Sequence, residues 1–264
     1  MNLEIEGKRA LVTGSTAGIG YAIVRGLASE GARVVVTGRT QASVDAALAK
    51  LRAELPRASA EGVAADCASA AGAEQVFARV PDVDILVNNL GIYARAPFFE
   101  IADAEWLRFF EVNVLSGIRF ARRYARAMAG RGWGRILFVS SESGLNVPRE
   151  MIHYGVTKTA QLTVSRGLAM ELAGTGVTVN SILPGPTRTE NTERLRAERA
   201  RAAGKSVDEI EAEFFRVYRP TSLLGRFASA EEVASLAVYL CGAGASATTG
   251  AALRADGGVV NQIM

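Results

Sequence analysis

The chain has 264 residues, 49% of them apolar, which is enough material for one large α/β core. Its 30 basic and 27 acidic residues leave a net charge of +3, and no dense basic run with interleaved aromatics is present, so nothing in the balance argues for nucleic acid. One histidine, two cysteines outside any Cys-x-x-Cys pair (Cys67 and Cys241), and no apolar run near the ~20 residues of a membrane span argue against zinc and against a membrane protein. Both cysteines are expected to be reduced, apolar residues of a cytoplasmic protein, and residues 1–8 match neither a signal nor a transit peptide.

In chain order, residues 9–13 form a short apolar run that predicts a buried strand. Gly14, Ser15, Thr16, Ala17, Gly18, Ile19 and Gly20 follow, then Ile23, Val24, Leu27 and Ala28 at helical spacing, then a second strand over 34–37. A glycine turn between a strand and a helix lets backbone approach a pyrophosphate, and the helix N-terminus offers free N–H groups and positive dipole. The spacing here is Gly-x-x-x-Gly-x-Gly rather than Gly-x-Gly-x-x-Gly. The second strand ends without the acidic residue that would hold the ribose hydroxyls of NAD; Arg39 stands there and could pair with a 2′-phosphate instead, or simply be solvated.

A helix is predicted over 43–55, stopped by Pro56, then a strand over 61–65 followed by Asp66 and Cys67, a helix over 70–80, and a strand over 84–87 leading into Asn88, Asn89, Leu90 and Gly91. Residues 102–128 read as one long helix with Asn113 inside it, a mildly unfavourable place for asparagine unless it has a role there. A fifth strand over 135–139 ends at Ser140 and Ser141. A helix carrying Tyr154 runs to about 173, a sixth strand covers 177–183, and Pro184, Gly185, Pro186, Thr187, Arg188 and Thr189 follow. The stretch 190–219 is charged and helix-forming, with arginines that read mostly as a solvated face; a helix over 231–241 and a strand over 251–255 complete the chain. Alternating strands and helices predict a doubly wound α/β fold with a parallel seven-stranded sheet and helices on both faces. Residues 1–264 read as a single domain with a helical lid over about 188–220, and ligands in such sheets bind outside the carboxyl ends of the strands.

Tyr154 and Lys158 stand four apart, on one face of a helix about one turn from each other. A phenol titrates near ~10, too high for acid–base work at neutral pH, and a cation one turn away favours the phenolate. The pair could exchange a proton with an alcohol or carbonyl oxygen; a surface lysine beside a half-buried tyrosine is the plainer alternative.

Five blocks, in order, resemble the short-chain dehydrogenase/reductase family of the short single-domain type: Thr13 to Gly20, Asn88 to Gly91, Ser140 with Ser141, Tyr154 to Lys158, and Pro184–Gly185 with Thr189. The resemblance spans 7–258 and implies a Rossmann fold and a tetrad of Asn113, Ser141, Tyr154 and Lys158. It casts Tyr154 as general acid–base, Ser141 as the group orienting the substrate oxygen, Lys158 as the group that lowers the phenol's pKa and binds the nicotinamide ribose, and Asn113 as holder of a relay water. It assigns the pyrophosphate to the loop of Gly14, Ser15, Thr16, Gly18, Ile19 and Gly20, the adenine to Asp66 and Cys67, and further cofactor contacts to Asn89, Leu90, Gly91, Pro184, Gly185, Thr187 and Thr189. Leu90 stands where the family usually has alanine, and Ala17 where many NADP-preferring members have a basic residue. The run 183–190 resembles bacterial proteins labelled 3-oxoacyl carrier-protein reductase or simply oxidoreductase.

The resulting expectation is an NAD(P)-dependent oxidoreductase interconverting a secondary alcohol and a ketone, with NADP(H) favoured over NAD(H). An epimerase or dehydratase with retained cofactor, and a non-catalytic NADP-binding regulator, are the alternatives. Relatives pair through the long helices, which implies a homodimer or homotetramer, with residues 258–264 packing across the interface or fraying. The substrate pocket is expected to include Leu145, Asn146, Val147, Arg149 and Ile152, with Arg149 and Arg188 raising the prospect of an anionic substrate.

Overall fold

The computed structural model describes residues 2–263, so residue 264 of the C-terminal segment lies outside the described residues. Strands β1 (Arg9–Val12), β2 (Arg33–Gly38), β3 (Ala60–Ala64), β4 (Ile85–Asn88), β5 (Gly134–Val139), β6 (Val177–Pro184) and β7 (Ala252–Ala255) form one sheet in the order β3-β2-β1-β4-β5-β6-β7. Every neighbouring pair is parallel. The strand order reverses between β1 and β4, and all seven carboxyl ends lie along one edge of the sheet.

Side-chain alternation divides the core. Ala10 and Val12 of β1, Val34 and Val36 of β2, and Ile85 and Val87 of β4 face one apolar cluster. Helices α1 (Gly18–Ser29), α2 (Gln41–Glu54) and α9 (Ala230–Cys241) cover it. Leu11, Val35 and Leu86 face the opposite cluster, covered by α3 (Ala70–Arg79), α5 (Ser116–Gly130) and α6 (Ile152–Glu171). Because both faces are buried, the strands read as continuous apolar runs rather than alternating ones.

The helix expected over 102–128 is interrupted. α4 (Asp103–Phe110) passes into a π turn (Glu111–Leu115) and then into α5 without leaving helical backbone. The Ser116 N–H reaches back five residues to the Glu111 carbonyl, which admits one extra residue into the turn. Asn113 lies in that turn, fully buried.

The charged stretch forms two helices, α7 (Glu190–Ala203) and α8 (Val207–Val217). Each starts with a capping box, Thr189 with Thr192 and Ser206 with Glu209, and α7 stops at Gly204 in the left-handed conformation. The solvated-face expectation holds for Arg194, Arg201 and Arg216 but not for Arg196 and Arg219, which are buried. Arg196 is held by Glu193 and Glu211, and Arg219 by Glu142, so carboxylates from α7, α8 and the end of β5 draw these two guanidinium groups inward.

Candidate active site

A cavity of about 690 Å³ opens at the carboxyl ends of β4, β5 and β6, beneath α7 and α8. Ser141, Tyr154 and Lys158 all line it. Ser141 follows β5 in extended backbone, and its hydroxyl accepts from the Ser143 N–H at 3.1 Å. The Lys158 side chain is buried; its Nζ donates to the Val139 carbonyl at 2.9 Å and to Gln161 Oε1 at 3.1 Å, and lies 5.5 Å from the centre of the Tyr154 ring. The Ser140 hydroxyl donates to the Lys158 carbonyl at 2.8 Å, tying the end of β5 to α6.

Asn113 does not line the cavity. Its Oδ1 accepts from the Ile92 N–H at 2.8 Å, and its Nδ2 donates to the Ile92 carbonyl and to Thr157 Oγ1. The Asn113 main-chain carbonyl accepts from Gln161 Nε2 at 2.6 Å. The Gln161 amide therefore links Lys158 to the main chain of Asn113. Gln161 was missed, although it sits three residues after Lys158 on the same face of α6, a spacing that brings side chains together.

Burial sets the electrostatics of the free protein. The Tyr154 phenol is pushed up to about 12, chiefly by burial and then by the Glu142 charge, with Ser141 pulling partly the other way. Burial also drives Lys158 down to about 7. Burial thus favours the neutral form of both groups, and in the free protein desolvation works against the cation one turn away.

The glycine loop folds as its spacing requires. Gly14 and Gly18 have φ of 63° and 56°, where a side chain is strained. A Cβ on Gly20 would sit 2.5 Å from Asn89 Nδ2, the group that clamps the Thr13 and Gly14 carbonyls. Helix α1 has Ala17 at its N-cap, no side-chain cap and no acidic residue in its first turn, so it offers uncapped N–H groups next to the cavity. That donor set suits a diphosphate. Gly18 N–H is already engaged, donating to Glu190 Oε2 from the start of α7 at 3.0 Å.

The remaining predicted cofactor residues divide into two groups. Ile19, Asn89, Gly91, Pro184, Gly185, Thr187 and Thr189 line the cavity. Gly14, Thr16, Gly18, Gly20, Leu90, Arg39, Asp66 and Cys67 lie outside its lining, along the strand ends from β1 to β4. The Ser15 hydroxyl is used within the fold, donating to the Val12 carbonyl and accepting from the Thr37 N–H, so only its backbone is available to a ligand. Leu90 packs against the second core cluster, and its Cδ1 is 3.2 Å from where a Gly14 Cβ would be. Arg39 is exposed and makes no ion pair among the described residues.

The residues expected at the substrate pocket do not line this cavity. Leu145, Asn146, Val147 and Arg149 are exposed and, like Ile152, lie outside the cavity lining; Arg188 is exposed and paired with Glu211. The cavity is lined by Tyr93, Glu142 and Met151 among others, with Arg95, Arg196, Arg199 and Arg219 as its basic residues besides Lys158. Tyr93 packs edge-on to Tyr154 and accepts from Asn191 Nδ2 at 2.6 Å. Among the described residues no group of His, Cys, Asp and Glu could hold a metal ion.

The short chain dehydrogenase family model matches residues 8–200, and the chain belongs to this family, the short-chain dehydrogenase/reductase oxidoreductases. It is 44% identical to an uncharacterized oxidoreductase of Bacillus subtilis, over the whole of both chains. It is 34% identical to a 3-oxoacyl-[acyl-carrier-protein] reductase of Aquifex aeolicus, over 98% of this chain and 100% of the relative. The solved L-sorbose reductase of Gluconobacter frateurii, complexed with NADPH and L-sorbose, superposes with a TM-score of 0.93 at 31% identity, covering 100% of both chains.

Two outcomes are expected. Unfolded lysine titrates near ~10.4 and folded Lys158 near about 7, so between those values the unfolded chain binds more protons and this group makes stability rise with pH. Urea unfolding at pH 7 and pH 8.5 should show wild type gaining relative to Lys158→Met; parallel curves would refute the depressed lysine. A diphosphate at the α1 N-terminus must displace the Glu190 carboxylate. Glu190→Gln should tighten NADPH by about two- to five-fold in a fluorescence titration, the size of a charge effect at a helix end, and unchanged affinity would place the phosphates elsewhere.

Proposed function

We propose that the protein is an NAD(P)-dependent oxidoreductase that interconverts a secondary alcohol and a ketone, with Tyr154 as general acid–base. The observation that carries this reading is the convergence of Tyr154, Ser141 and Lys158 on one cavity that is also lined by Ile19, Asn89, Gly91, Gly185 and Thr189 at the strand ends and the start of α1. When bound, the nicotinamide cofactor supplies the hydride. The chain's own residues do the rest. Ser141 donates a hydrogen bond to the substrate oxygen and fixes its position. Tyr154 holds its proton at neutral pH in the free protein, and in this reading it passes that proton to the oxygen of a carbonyl undergoing reduction once bound ligands exclude water and bring the phenol back toward the working range. Lys158 and Gln161 anchor the base of α6, with Asn113 holding the wall behind them. We assign the diphosphate to the glycine loop and Ile19, the nicotinamide end to Asn89, Gly91, Pro184, Gly185, Thr187 and Thr189, and the adenosine end to Thr16, Arg39, Asp66 and Cys67.

Arg39 supports NADP(H) over NAD(H). It directly follows β2, it is exposed, and no acidic residue stands beside it in the run from Thr37 to Thr40. The helices α7 and α8 serve in this reading as a lid. Leu107 and Phe110 on α4 and Met170 on α6 leave apolar side chains exposed, 71%, 44% and 67%, and support pairing of two copies through these helices in a cytoplasmic homodimer or homotetramer.

Tyr154→Phe should abolish NADPH-coupled reduction of a ketone panel, by at least about a hundredfold, while NADPH binding by fluorescence stays within a few-fold; full activity would sink the mechanism. Arg39→Ala should weaken NADPH by about tenfold, one lost charge-assisted contact, and leave NADH little changed. Equal losses for the two cofactors would remove Arg39 from the 2′-phosphate.

A further inference from the structure

The end of β5 carries a second group beside Ser141 that the tetrad leaves unexplained. Glu142 is 3% exposed and lines the same cavity as Ser141 and Tyr154. Its Oε1 accepts from Arg219 Nε at 2.9 Å, an ion pair that spans 77 residues and joins the end of β5 to the segment after α8. Its Oε2 is buried and makes no hydrogen bond of good geometry, although the neighbouring Ser143 hydroxyl and Arg219 favour the ionised carboxylate against the burial that pushes its pKa up. The carboxylate is close enough to the Tyr154 phenol for its charge to help keep the phenol protonated.

This arrangement is poor as a purely structural pair. An arginine fork facing a carboxylate can satisfy both oxygens at once, yet Arg219 gives its Nη1 to the Tyr218 carbonyl and leaves one carboxylate oxygen unmatched. A buried acceptor without a donor is among the costlier features a fold can retain. Its position narrows what could supply the donor. A substrate carboxylate would meet like charge, and an acyl chain would leave the oxygen as unpaired as before. A hydroxyl satisfies it.

Resting on the reading of Tyr154 as the group that meets the substrate oxygen, we propose that Glu142 is a specificity-determining residue that accepts a hydrogen bond from a substrate hydroxyl borne close to the reacting carbonyl, so that the site takes hydroxyketones and polyols in preference to ketones without a hydroxyl. Arg219 is the positioning residue: it holds Oε1 and leaves Oε2 to the substrate. The substrate class this selects is neutral and hydroxylated, and the arginines around the cavity then act on the protein's own carboxylates and aromatic rings, as Arg219 does on Glu142 and Arg199 does on Tyr218.

The test compares hydroxyacetone with acetone, which differ by one hydroxyl. A site built to hydrogen-bond a hydroxyl rejects the analogue lacking it by large factors, so wild type should favour hydroxyacetone in kcat/KM by about a hundredfold or more. The informative variant is the double substitution Glu142→Leu with Arg219→Met, which leaves neither charge buried alone. Its ratio of kcat/KM for the two ketones should collapse to about threefold or less, a hydroxyl in an apolar pocket being weakly discriminated. NADPH fluorescence titration verifies that the variant is folded. Glu142→Gln, which keeps an acceptor oxygen, should give an intermediate ratio. A structural role would lower both substrates together and leave the ratio at the wild-type value, and that result overturns the proposal, as does a wild type that does not discriminate. Saturation-transfer NMR measures binding of the two ketones without turnover. If wild type reduces no ketone at all, the oxidoreductase reading of the substrate fails, and NMR still decides this proposal: hydroxyl-dependent binding that is lost in the double variant supports it, and equal or absent binding refutes it.

Discussion

Everything at this site depends on keeping one ammonium group out of water. Lys158 is buried at the junction of β5 and α6, and burial brings its pKa to about 7. A bare cation there would be prohibitively costly, so its surroundings supply oxygen: the Val139 carbonyl at the end of β5 and the Gln161 side chain one turn along α6. Gln161 in turn takes the Asn113 carbonyl, which fixes α6 against the π turn. The loop after β4 is tied in through the Ile92 backbone, whose N–H donates to Asn113 Oδ1 and whose carbonyl accepts from Asn113 Nδ2. The end of β5, the loop after β4, the π turn and α6 therefore form one interlocked unit, and Tyr154 rides on it.

That unit explains which parts of the molecule were readable from the chain alone. The central strands were legible because a strand buried on both faces is a continuous apolar run, as at Val34 to Val36 and Ile85 to Val87, and their alternation with helices made the sheet's parallel character legible too. The glycine loop and the Tyr154–Lys158 spacing were legible because both are local: a positive φ at Gly14 and Gly18, or one helical turn, is written within a few residues. The π turn was not. One extra residue in a turn leaves no mark on apolar periodicity, and what pulls Asn113 inward is its pairing with Ile92 and Thr157, 21 and 44 residues away. The same limit applies to the lid arginines. Arg194 and Arg219 look alike in a charged helical stretch; what separates them is Glu142, a partner 77 positions earlier in the chain.

The direction of the tyrosine's pKa follows the same logic. Spacing alone gives the distance between a phenol and a cation, and from distance the cation should win. Spacing gives no information about water. Once both groups are desolvated, the lysine loses much of its charge and the phenol holds its proton more firmly, so two residues placed to help each other are first made weaker by the cavity that contains them. Ligands that exclude the remaining water while adding hydrogen-bond donors and acceptors are what can reverse that balance.

The helices over the cavity touch it through polar contacts of modest strength, and this is mechanically significant. Glu190 accepts from Gly18 at the glycine loop, Asn191 donates to Tyr93 beside Tyr154, and Arg219 reaches Glu142 beside Ser141. A hydrogen bond of this kind is worth about 0.5–1.5 kcal/mol net in water, and more where an ion takes part. The first two are exposed and can be exchanged for contacts to a bound molecule at little cost, whereas the third is buried and resists exchange. The two helices are thus fastened unevenly over the cavity: at the start of α7 by exposed hydrogen bonds that exchange readily, and after α8 by a buried ion pair that holds the Glu142 carboxylate in place.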